Sequence, residues 1–261
     1  MTQICLDGAL VPAEQAAIPV TDHGLLRGDG VFEVVRLYDG VPYGLDEHLA
    51  RMRRSAENLR LPLDVADVAA DIAALLAVTP PADAAVRVLA TRGGHRIAMI
   101  EALPDLPETA ALAAVTYAPT RVLDQIKSLS YAANMLCGRL ARERGFDEAL
   151  LVTPHGRVLE APTSSFFWVR DGALHTPPLD DHLLDSITRR AVMACCEVHE
   201  TPTTLPDLGE AQEAFLASSL KEVLPVHRIE DLELRAPGPV TADVAQRVGR
   251  HIADALALAA R

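Results

Sequence analysis

Apolar and polar positions along this chain alternate between a period of two and a period near 3.6, so strands and helices are mixed throughout. Residues 30–38, rich in β-branched and aromatic side chains, predict a strand, and Asp46 is the expected N-cap of a helix over 46–59. The other predicted strands are a hairpin over 4–11, then 41–45, 85–91, 96–102, 111–117, 148–152, 158–160, 165–170, 173–176 and 214–217. The other predicted helices are 66–77, 132–144, 186–197 and 241–260.

A proline-rich region at 104–119 interrupts this pattern and indicates a domain boundary. We therefore expect a small α+β domain over 1–117, a linker over 118–122 and a larger α+β domain over 123–261. No early strand leads through a glycine-rich turn into a helix, so the pattern does not predict a Rossmann or P-loop nucleotide site.

Composition narrows the function classes. Of 261 residues, 49% are hydrophobic and 23% charged, which is typical of a globular protein. The net charge of −12 argues against binding to nucleic acid or to anionic membrane surfaces. No apolar run reaches the ~18 residues of a membrane span, and the N-terminus does not resemble a signal peptide. Four irregularly spaced cysteines predict a reduced, cytoplasmic protein.

Lysine usage singles out two positions. The chain has 24 Lys and Arg residues, of which only Lys127 and Lys221 are lysines. Arginine cannot replace lysine where chemistry needs an amine that loses its proton. Lys127 lies between Ile126 and Leu129, and an apolar neighbourhood lowers a lysine pKa, which would suit Schiff-base chemistry. The alternative is a solvated lysine at a helix start, and Lys221 is expected at the surface.

Further residues could bind a charged cofactor. Glu160 ends a predicted strand and could hold a cationic ring nitrogen, although a solvated strand-end glutamate is the alternative. Arg51 could bind a phosphate through its guanidinium, but helical periodicity predicts that it faces solvent. The hydroxyls and N–H groups at 186–188 and at 218–219 could bind an anion, with simple capping as the alternative.

Two rival chemistries have little support in the sequence. Cys195 and His199, four residues apart, would share a helix face beside Cys196, but no second pair stands at ligand spacing, so we expect no metal site. A serine hydrolase of the G-x-S-x-G type lacks its motif in this chain.

Six blocks in order resemble the class IV aminotransferases, the fold-type IV family of enzymes that use pyridoxal 5'-phosphate (PLP). They are DHGLLRGDGVFEVVRLYDG, DEHLARM, IKSLSY, GRVLEAPTSSFFWV, LLDSITR and FLASSLKEVLPV. Departures from the family pattern are Ser186 in place of a glycine and Ser165 in place of an asparagine. The resemblance implies a two-domain α+β fold of the D-amino-acid aminotransferase type and a homodimer.

The resemblance also implies roles for individual residues. Lys127 would form the Schiff base with PLP, Glu160 would pair with the pyridine nitrogen, and Tyr131 would lie near the cofactor O3′. The residues implied or proposed to contact the phosphate are Arg51, Ile187, Thr188, Ser218 and Ser219. The residues expected on the substrate side are Arg27, Phe32, Arg36 and Arg87.

The implied reaction is transfer of an amino group between an amino acid, or an amine, and a 2-oxo acid. The alternative enzyme is aminodeoxychorismate lyase, because RGDGVFE and KSLSYAANM also resemble lyase members of the family. A binding protein that lost the chemistry is a third possibility, against which Lys127 and Glu160 speak. For Arg27 the hypothesis is binding of a substrate carboxylate, and the alternative is an ion pair with Asp29 or Glu33.

Overall fold

A computed structural model describes residues 2–259 and divides the chain into two compact units. The first contains Met1–Pro104 and Gln125–Tyr131, and the second contains Asp105–Asp124 and Ala132–Arg261. The chain therefore leaves the first unit, returns to it for the short segment Gln125–Tyr131, and leaves it again. Each unit combines a β-sheet with helices, as the sequence predicts.

Six antiparallel strands form the sheet of the first unit. They are β1 (Gln3–Leu6), β2 (Ala9–Pro12), β3 (Gly30–Tyr38), β4 (Val41–Pro42), β5 (Ala84–Thr91) and β6 (Arg96–Glu101), in the order β2-β1-β6-β5-β3-β4. The helices of this unit are α1 (His23–Arg27), α2 (Leu45–Asn58) and α3 (Val65–Val78). Apolar residues of α2 and α3 pack on one face of the sheet and form the core of the unit.

The two faces of this sheet differ in chemistry. Val35 of β3 lies in the core under the helices. Because side chains alternate along a strand, Phe32 and Arg36 lie on the opposite face. Arg87 of β5 stands opposite Val34 in the antiparallel register, so it shares that face. We call the side of the sheet that carries Phe32, Arg36 and Arg87 the Phe32 face.

The second unit has an eight-stranded mixed sheet. Its strands are β7 (Ala110–Thr116), β8 (Glu148–Val152), β9 (Ser165–Arg170), β10 (Ala173–Thr176), β11 (His199–Glu200), β12 (Glu213–Ser218), β13 (Glu222–Ile229) and β14 (Leu232–Glu233). The order is β11-β10-β9-β12-β13-β7-β8, with β14 beside β13. The helices are α4 (Ala132–Glu143), α5 (Ile187–Cys195) and α6 (Pro239–Ala259). Across residues 2–259, every helix is too short or too polar to cross a membrane.

The expected domain boundary at 118–122 differs from the division in the structure. β7 belongs to the second unit because it pairs with β8 and with β13, a strand that the sequence pattern did not predict. Segment Gln125–Tyr131 belongs to the first unit because Leu129 and Lys127 exchange backbone hydrogen bonds with β3. The proline-rich stretch thus marks a loop-rich region, whereas strand pairing with distant residues decides the division.

Most predicted elements form, and the differences have local causes. Helix α2 begins at Leu45 after Gly44 in the left-handed region, so Asp46 is not its N-cap. Instead of the predicted strand at 158–160, Val158 forms only an isolated bridge to Val152. Helix α1 and strands β11, β13 and β14 were not predicted, since each is short or lacks a clear alternation.

Candidate active site

Lys127 is fixed by backbone hydrogen bonds on both sides. Its carbonyl accepts the Phe32 N–H at 3.1 Å, and its own N–H donates to Ser55 Oγ of α2 at 3.1 Å. One residue on, Ser128 bridges to Val31, and the Leu129 N–H donates to the Gly30 carbonyl at 2.9 Å. The half-buried lysine is therefore held to β3 and α2, not at the start of a solvated helix.

The Lys127 side chain lies on the Phe32 face. Its Nζ is 4.4 Å from the centre of the Phe32 ring, and Tyr131 packs edge-on against the same ring at 5.3 Å between centroids. The structure thus brings together three residues that the sequence singled out for the cofactor and the substrate. All three belong to the first unit.

Two predicted substrate arginines share this face, and each has an acidic partner. Arg87 lies 5.9 Å from the Phe32 ring centre and donates through Nε to Glu101 at 2.7 Å. Arg36 covers the Tyr38 ring at 4.8 Å and lies 3.9 Å from Asp83. The Phe32 face therefore carries cationic groups next to the lysine amine.

Arg27 lies on helix α1 and not on a strand of the sheet. It is exposed in the last turn of α1. The alternative that it pairs with Asp29 or Glu33 is wrong, because Asp29 binds Arg92 at 3.1 Å and Glu33 binds Arg51. Among the described residues the Arg27 guanidinium forms no ion pair.

Arg51 is buried, whereas its position on the helix predicted that it would face solvent. Its Nε and Nη2 each donate to a different oxygen of Glu33 at 2.7 Å, and Nδ1 of His48 donates to Glu33 at 2.7 Å. Burial by itself would raise the pKa of Glu33, but the charge and hydrogen bonds of Arg51, aided by His48, hold that pKa well below its usual range. Burial also lowers the pKa of His48.

Sequence reasoning missed Glu33 and His48 as parts of this cluster. The available signal was the spacing: Glu33 alternates with core residues of β3, and His48 and Arg51 are three apart on α2. A carboxylate on the core face of a strand needs a buried cation, and the neighbouring helix supplies one. The assignment of Arg51 to the cofactor phosphate stays a prediction.

Glu160 is held in the second unit by its neighbours in the fold. Its carbonyl accepts the Leu151 N–H of β8 at 2.9 Å, and its Oε1 accepts the Leu184 N–H at 3.4 Å. Burial chiefly raises the pKa of Tyr117, with further contributions from Cys137 and from the negative charge of Glu160. Glu160 is thus a half-buried, oriented carboxylate, not a solvated strand end.

The start of α5 presents two backbone N–H groups that the helix itself does not use. Ser186 is the N-cap, and its Oγ accepts the Arg189 N–H at 3.3 Å while its carbonyl accepts the Arg190 N–H at 3.0 Å. The N–H groups of Ile187 and Thr188 precede these bonds, so the helix itself does not use them. Ser186 therefore keeps the helix start intact where the family has glycine. Ser218 and Ser219 lie half-buried at the end of β12.

The three residues considered as metal ligands, Cys195, Cys196 and His199, do not lie on one helix. Helix α5 ends at Cys195, Cys196 follows it in extended backbone, and His199 lies on β11, so no shared helix face exists. Within residues 2–259 no group of three or more His, Cys, Asp or Glu side chains could hold a metal ion.

Comparison with known proteins identifies the family. A family model described as amino-transferase class IV matches residues 30–229. This chain belongs to that family. The candidate branched-chain-amino-acid aminotransferase of Methanocaldococcus jannaschii is 35% identical over 253 residues, covering 87% of this chain and 88% of the relative. The D-alanine aminotransferase of Bacillus licheniformis is 29% identical over 267 residues, covering 93% and 94%.

A solved structure supports the same conclusion. A hypothetical aminotransferase of Mycobacterium tuberculosis, in its PLP-bound form, superposes with a TM-score of 0.86 at 25% identity. The match covers 96% of this chain and 98% of that one. The chain is therefore a PLP-dependent aminotransferase with the predicted two-domain fold-type IV architecture. Since the relatives are named as aminotransferases, the lyase alternative is not favoured.

The side chains of this class IV aminotransferase fit PLP chemically. The first unit offers a lysine amine beside an aromatic ring. The second offers an oriented carboxylate, which suits a pyridinium nitrogen. It also offers the two N–H groups at the start of α5, where free donors and the helix dipole favour a phosphate.

Proposed function

We propose that Lys127 is the residue to which this aminotransferase attaches PLP. The observation that carries this proposal is the position of the Lys127 amine 4.4 Å from the centre of the Phe32 ring, on a segment that backbone hydrogen bonds fix to β3 and α2. The Lys221 ammonium donates to Glu148, Thr163 and Ser164, so its three N–H donors already have acceptors. The Lys127 amine instead faces the Phe32 ring, on the side of the sheet that also carries Arg87.

We further propose which residues bind the cofactor. Glu160 would accept a hydrogen bond from the pyridine nitrogen and keep the proton there. The N–H groups of Ile187 and Thr188, the hydroxyls of Thr188, Ser218 and Ser219, and the Arg51 guanidinium would bind the phosphate. Tyr131 would contact O3′. The oriented Glu160 and the open start of α5 support this assignment.

The chemistry then divides between cofactor and protein. When bound, PLP supplies an electron-accepting ring that stabilises negative charge at the substrate Cα. Lys127 would hold and move the proton of the substrate Cα, as a base when it takes the proton and as an acid when it returns it. The Phe32 ring lies 4.4 Å from the Lys127 Nζ and would limit the approach of water to the amine from that side. The carbonyl and N–H bonds of Lys127 to β3 and α2 fix the backbone from which the amine would reach the cofactor.

The substrates we propose are an amino acid and a 2-oxo acid. Arg87 and Arg36 on the Phe32 face, and Arg27 on α1, would bind carboxylate groups of the substrate, since a guanidinium can bind a carboxylate through two hydrogen bonds. Relatives named for branched-chain amino acids and for D-alanine both support an amino-acid substrate. Phe32 would contact the substrate side chain.

We also propose a homodimer in the cytoplasm. Leu25 and Leu26 on α1 are about three-fifths exposed (60% and 59%), and Leu136 on α4 is half exposed (49%), which suits burial against a second copy. Four cysteines without disulfides suit a reducing compartment. Light scattering at several protein concentrations tests the dimer, and a monomer at all of them would contradict it.

Reduction of the holoenzyme with borohydride, followed by digestion and mass spectrometry, tests the role of Lys127. We expect the phosphopyridoxyl label on the peptide that contains Lys127 alone. A label on Lys221, or no label, would overturn the proposal. Incubation with L-branched-chain amino acids and with D-alanine, in the presence of a 2-oxo acid, then measures which amino acid donates its amino group.

A further inference from the structure

Lys221 is not the surface residue that its sequence context predicted. Its side chain is only 12% exposed, and it lies in the turn between β12 and β13. Nζ donates to Ser164 Oγ at 2.8 Å, to Glu148 Oε2 at 3.0 Å and to Thr163 Oγ1 at 3.3 Å. An ammonium at this depth is stable only because its three donors find oxygen acceptors.

The partners of Lys221 belong to segments that present the proposed cofactor residues. Glu148 begins β8, the strand that binds the backbone of Glu160 through Leu151. Ser164 closes a tight turn with Ala161 directly after Glu160, where the Ala161 N–H donates to the Ser164 carbonyl at 2.8 Å.

On the other side, Lys221 is tied to the turn that presents the hydroxyls. Its backbone N–H donates to Ser218 Oγ at 3.3 Å. The next residue, Glu222, has φ of 52°, a left-handed conformation that is unfavourable for a residue with a side chain. Such a conformation persists only where surrounding contacts hold it. The Lys221 side chain supplies contacts of this kind.

We propose that Lys221 is a positioning residue for the cofactor half-site of the second unit. It ties the turn that carries Ser218 and Ser219 to the turn that follows Glu160. The phosphate-binding hydroxyls and the carboxylate for the ring nitrogen are thereby held at a fixed separation. This inference rests on the proposed function, because it takes Glu160 and Ser219 as cofactor contacts.

Lys221→Met tests the proposal, because methionine keeps an unbranched apolar stem and removes all three donors. We expect the dissociation constant for PLP, measured by equilibrium dialysis of the full chain, to rise at least about tenfold. Arg247→Met is the matched control: it removes a half-exposed cation of the same unit that pairs with Asp243 on α6. It should change PLP affinity less than about twofold.

A double mutant separates positioning from general destabilisation. If Lys221 acts through the Ser218–Ser219 turn, Lys221→Met should weaken PLP binding much less in a Ser219→Ala background than in the wild type. Equal effects in both backgrounds, a wild-type dissociation constant in Lys221→Met, or an equal loss in the control would overturn the inference. Borohydride labelling of the wild-type protein distinguishes the two failures: a label on Lys127, together with unchanged PLP affinity in Lys221→Met, contradicts only the role of Lys221, whereas a label on Lys221 contradicts the proposed function.

Discussion

The two units prepare their proposed functional groups in opposite ways. In the first unit nearly every predicted arginine already has a carboxylate partner: Arg51 has Glu33, Arg87 has Glu101 and Arg36 has Asp83. In the second unit the proposed phosphate contacts are neutral hydroxyls and backbone N–H groups at the start of α5 and the end of β12. The proposed anion-binding groups of the first unit are thus charges held in pairs, and those of the second unit are dipoles at the start of a helix and the end of a strand.

This difference shows that a buried arginine and a backbone N–H group have different requirements for binding an anion. Burying a guanidinium without a partner costs free energy, so a buried arginine is paired with a carboxylate. That carboxylate fixes the orientation of the guanidinium and neutralises part of the charge that a ligand could otherwise use. Backbone N–H groups at a helix start need no partner of their own to point at an anion. Substitutions in the first unit should therefore affect stability and chemistry together, whereas those in the second should affect the cofactor with less effect on folding.

The largest effect is expected for Lys127→Ala. If Lys127 moves the proton as proposed, its loss should lower kcat for amino transfer by about 10⁴-fold, because a positioned acid–base residue contributes up to that factor. Some PLP should remain bound through the second unit. The measurement is 2-oxo acid formation at saturating PLP, with Arg247→Met as the control. Turnover within tenfold of the wild type would remove Lys127 from the mechanism.

The next largest effect is expected for Glu33→Gln. Both partners of this pair are buried, so the variant leaves the Arg51 charge uncompensated and should lower the free energy of unfolding by about 3–5 kcal/mol. Urea unfolding measures this value. Glu101→Gln breaks a pair that is about one-third exposed and should cost about 1 kcal/mol or less. Equal costs for the two variants would contradict the contrast between buried and exposed pairs.

The same pair predicts a pH dependence with a definite sign. The pKa of Glu33 is lower in the folded protein than in the unfolded chain, where a glutamate titrates near about 4.3. The stabilisation is therefore fully present above that pH and is lost as the pH falls towards the folded-state pKa. The difference in stability between wild type and Glu33→Gln should be constant near neutral pH and shrink below pH ~4. A difference that persists unchanged in acid would show that Glu33 is not ionised in the fold.

Much of the fold could be predicted because many helices and strands are indicated by patterns of neighbouring residues. Strand β3 and the hairpin of β9 and β10 have the predicted bounds, since alternation and an Asp-Gly turn are local signals. Strand β13 was missed because Glu222–Ile229 contains a proline and its pairing with β7 lies far along the chain. Lys221 was misjudged for the same reason: Glu148 and Ser164 lie 73 and 57 residues away.

For the candidate site, the order of the six sequence motifs indicated which residues to consider. The structure showed which residues each of them contacts. The position of Lys127 beside Phe32 depends on the return of Gln125–Tyr131 to the first sheet, which no local pattern reports. The burial of Arg51 depends on Glu33 facing the helix, so its helical periodicity pointed the wrong way. The sequence therefore predicts the identity of the candidate residues, but it does not predict burial that depends on an oppositely charged residue far away in the chain.

The effect expected for Glu160→Gln is smaller than that of Glu33→Gln and concerns kcat, not the free energy of unfolding. If Glu160 pairs with the pyridine nitrogen as proposed, that nitrogen should lose its proton more readily in the variant, and each pKa unit is worth about 1.4 kcal/mol. We expect kcat to fall by about 10²–10³-fold, with PLP content and the free energy of unfolding close to those of the wild type. Single-turnover kinetics with an amino acid measure the proton-transfer step. A comparable loss of stability would contradict the claim that the second unit separates cofactor chemistry from folding.

The smallest effect is expected for Arg27→Ala, and it tests the one predicted arginine without a carboxylate partner among the described residues. Asp29 and Glu33 are engaged by other arginines, so within that part of the chain nothing competes for this guanidinium. Because Arg27 is exposed, a contact with a substrate carboxylate is weakened by solvent, and we expect about a tenfold loss in kcat/KM for amino acids. An amine without a carboxylate should react at the wild-type rate. An equal loss on both substrates would assign Arg27 to the stability of α1 instead. The remaining arginines proposed for the substrate, Arg36 and Arg87, already pair with Asp83 and Glu101, so each would have to leave its own carboxylate in order to bind that of the substrate.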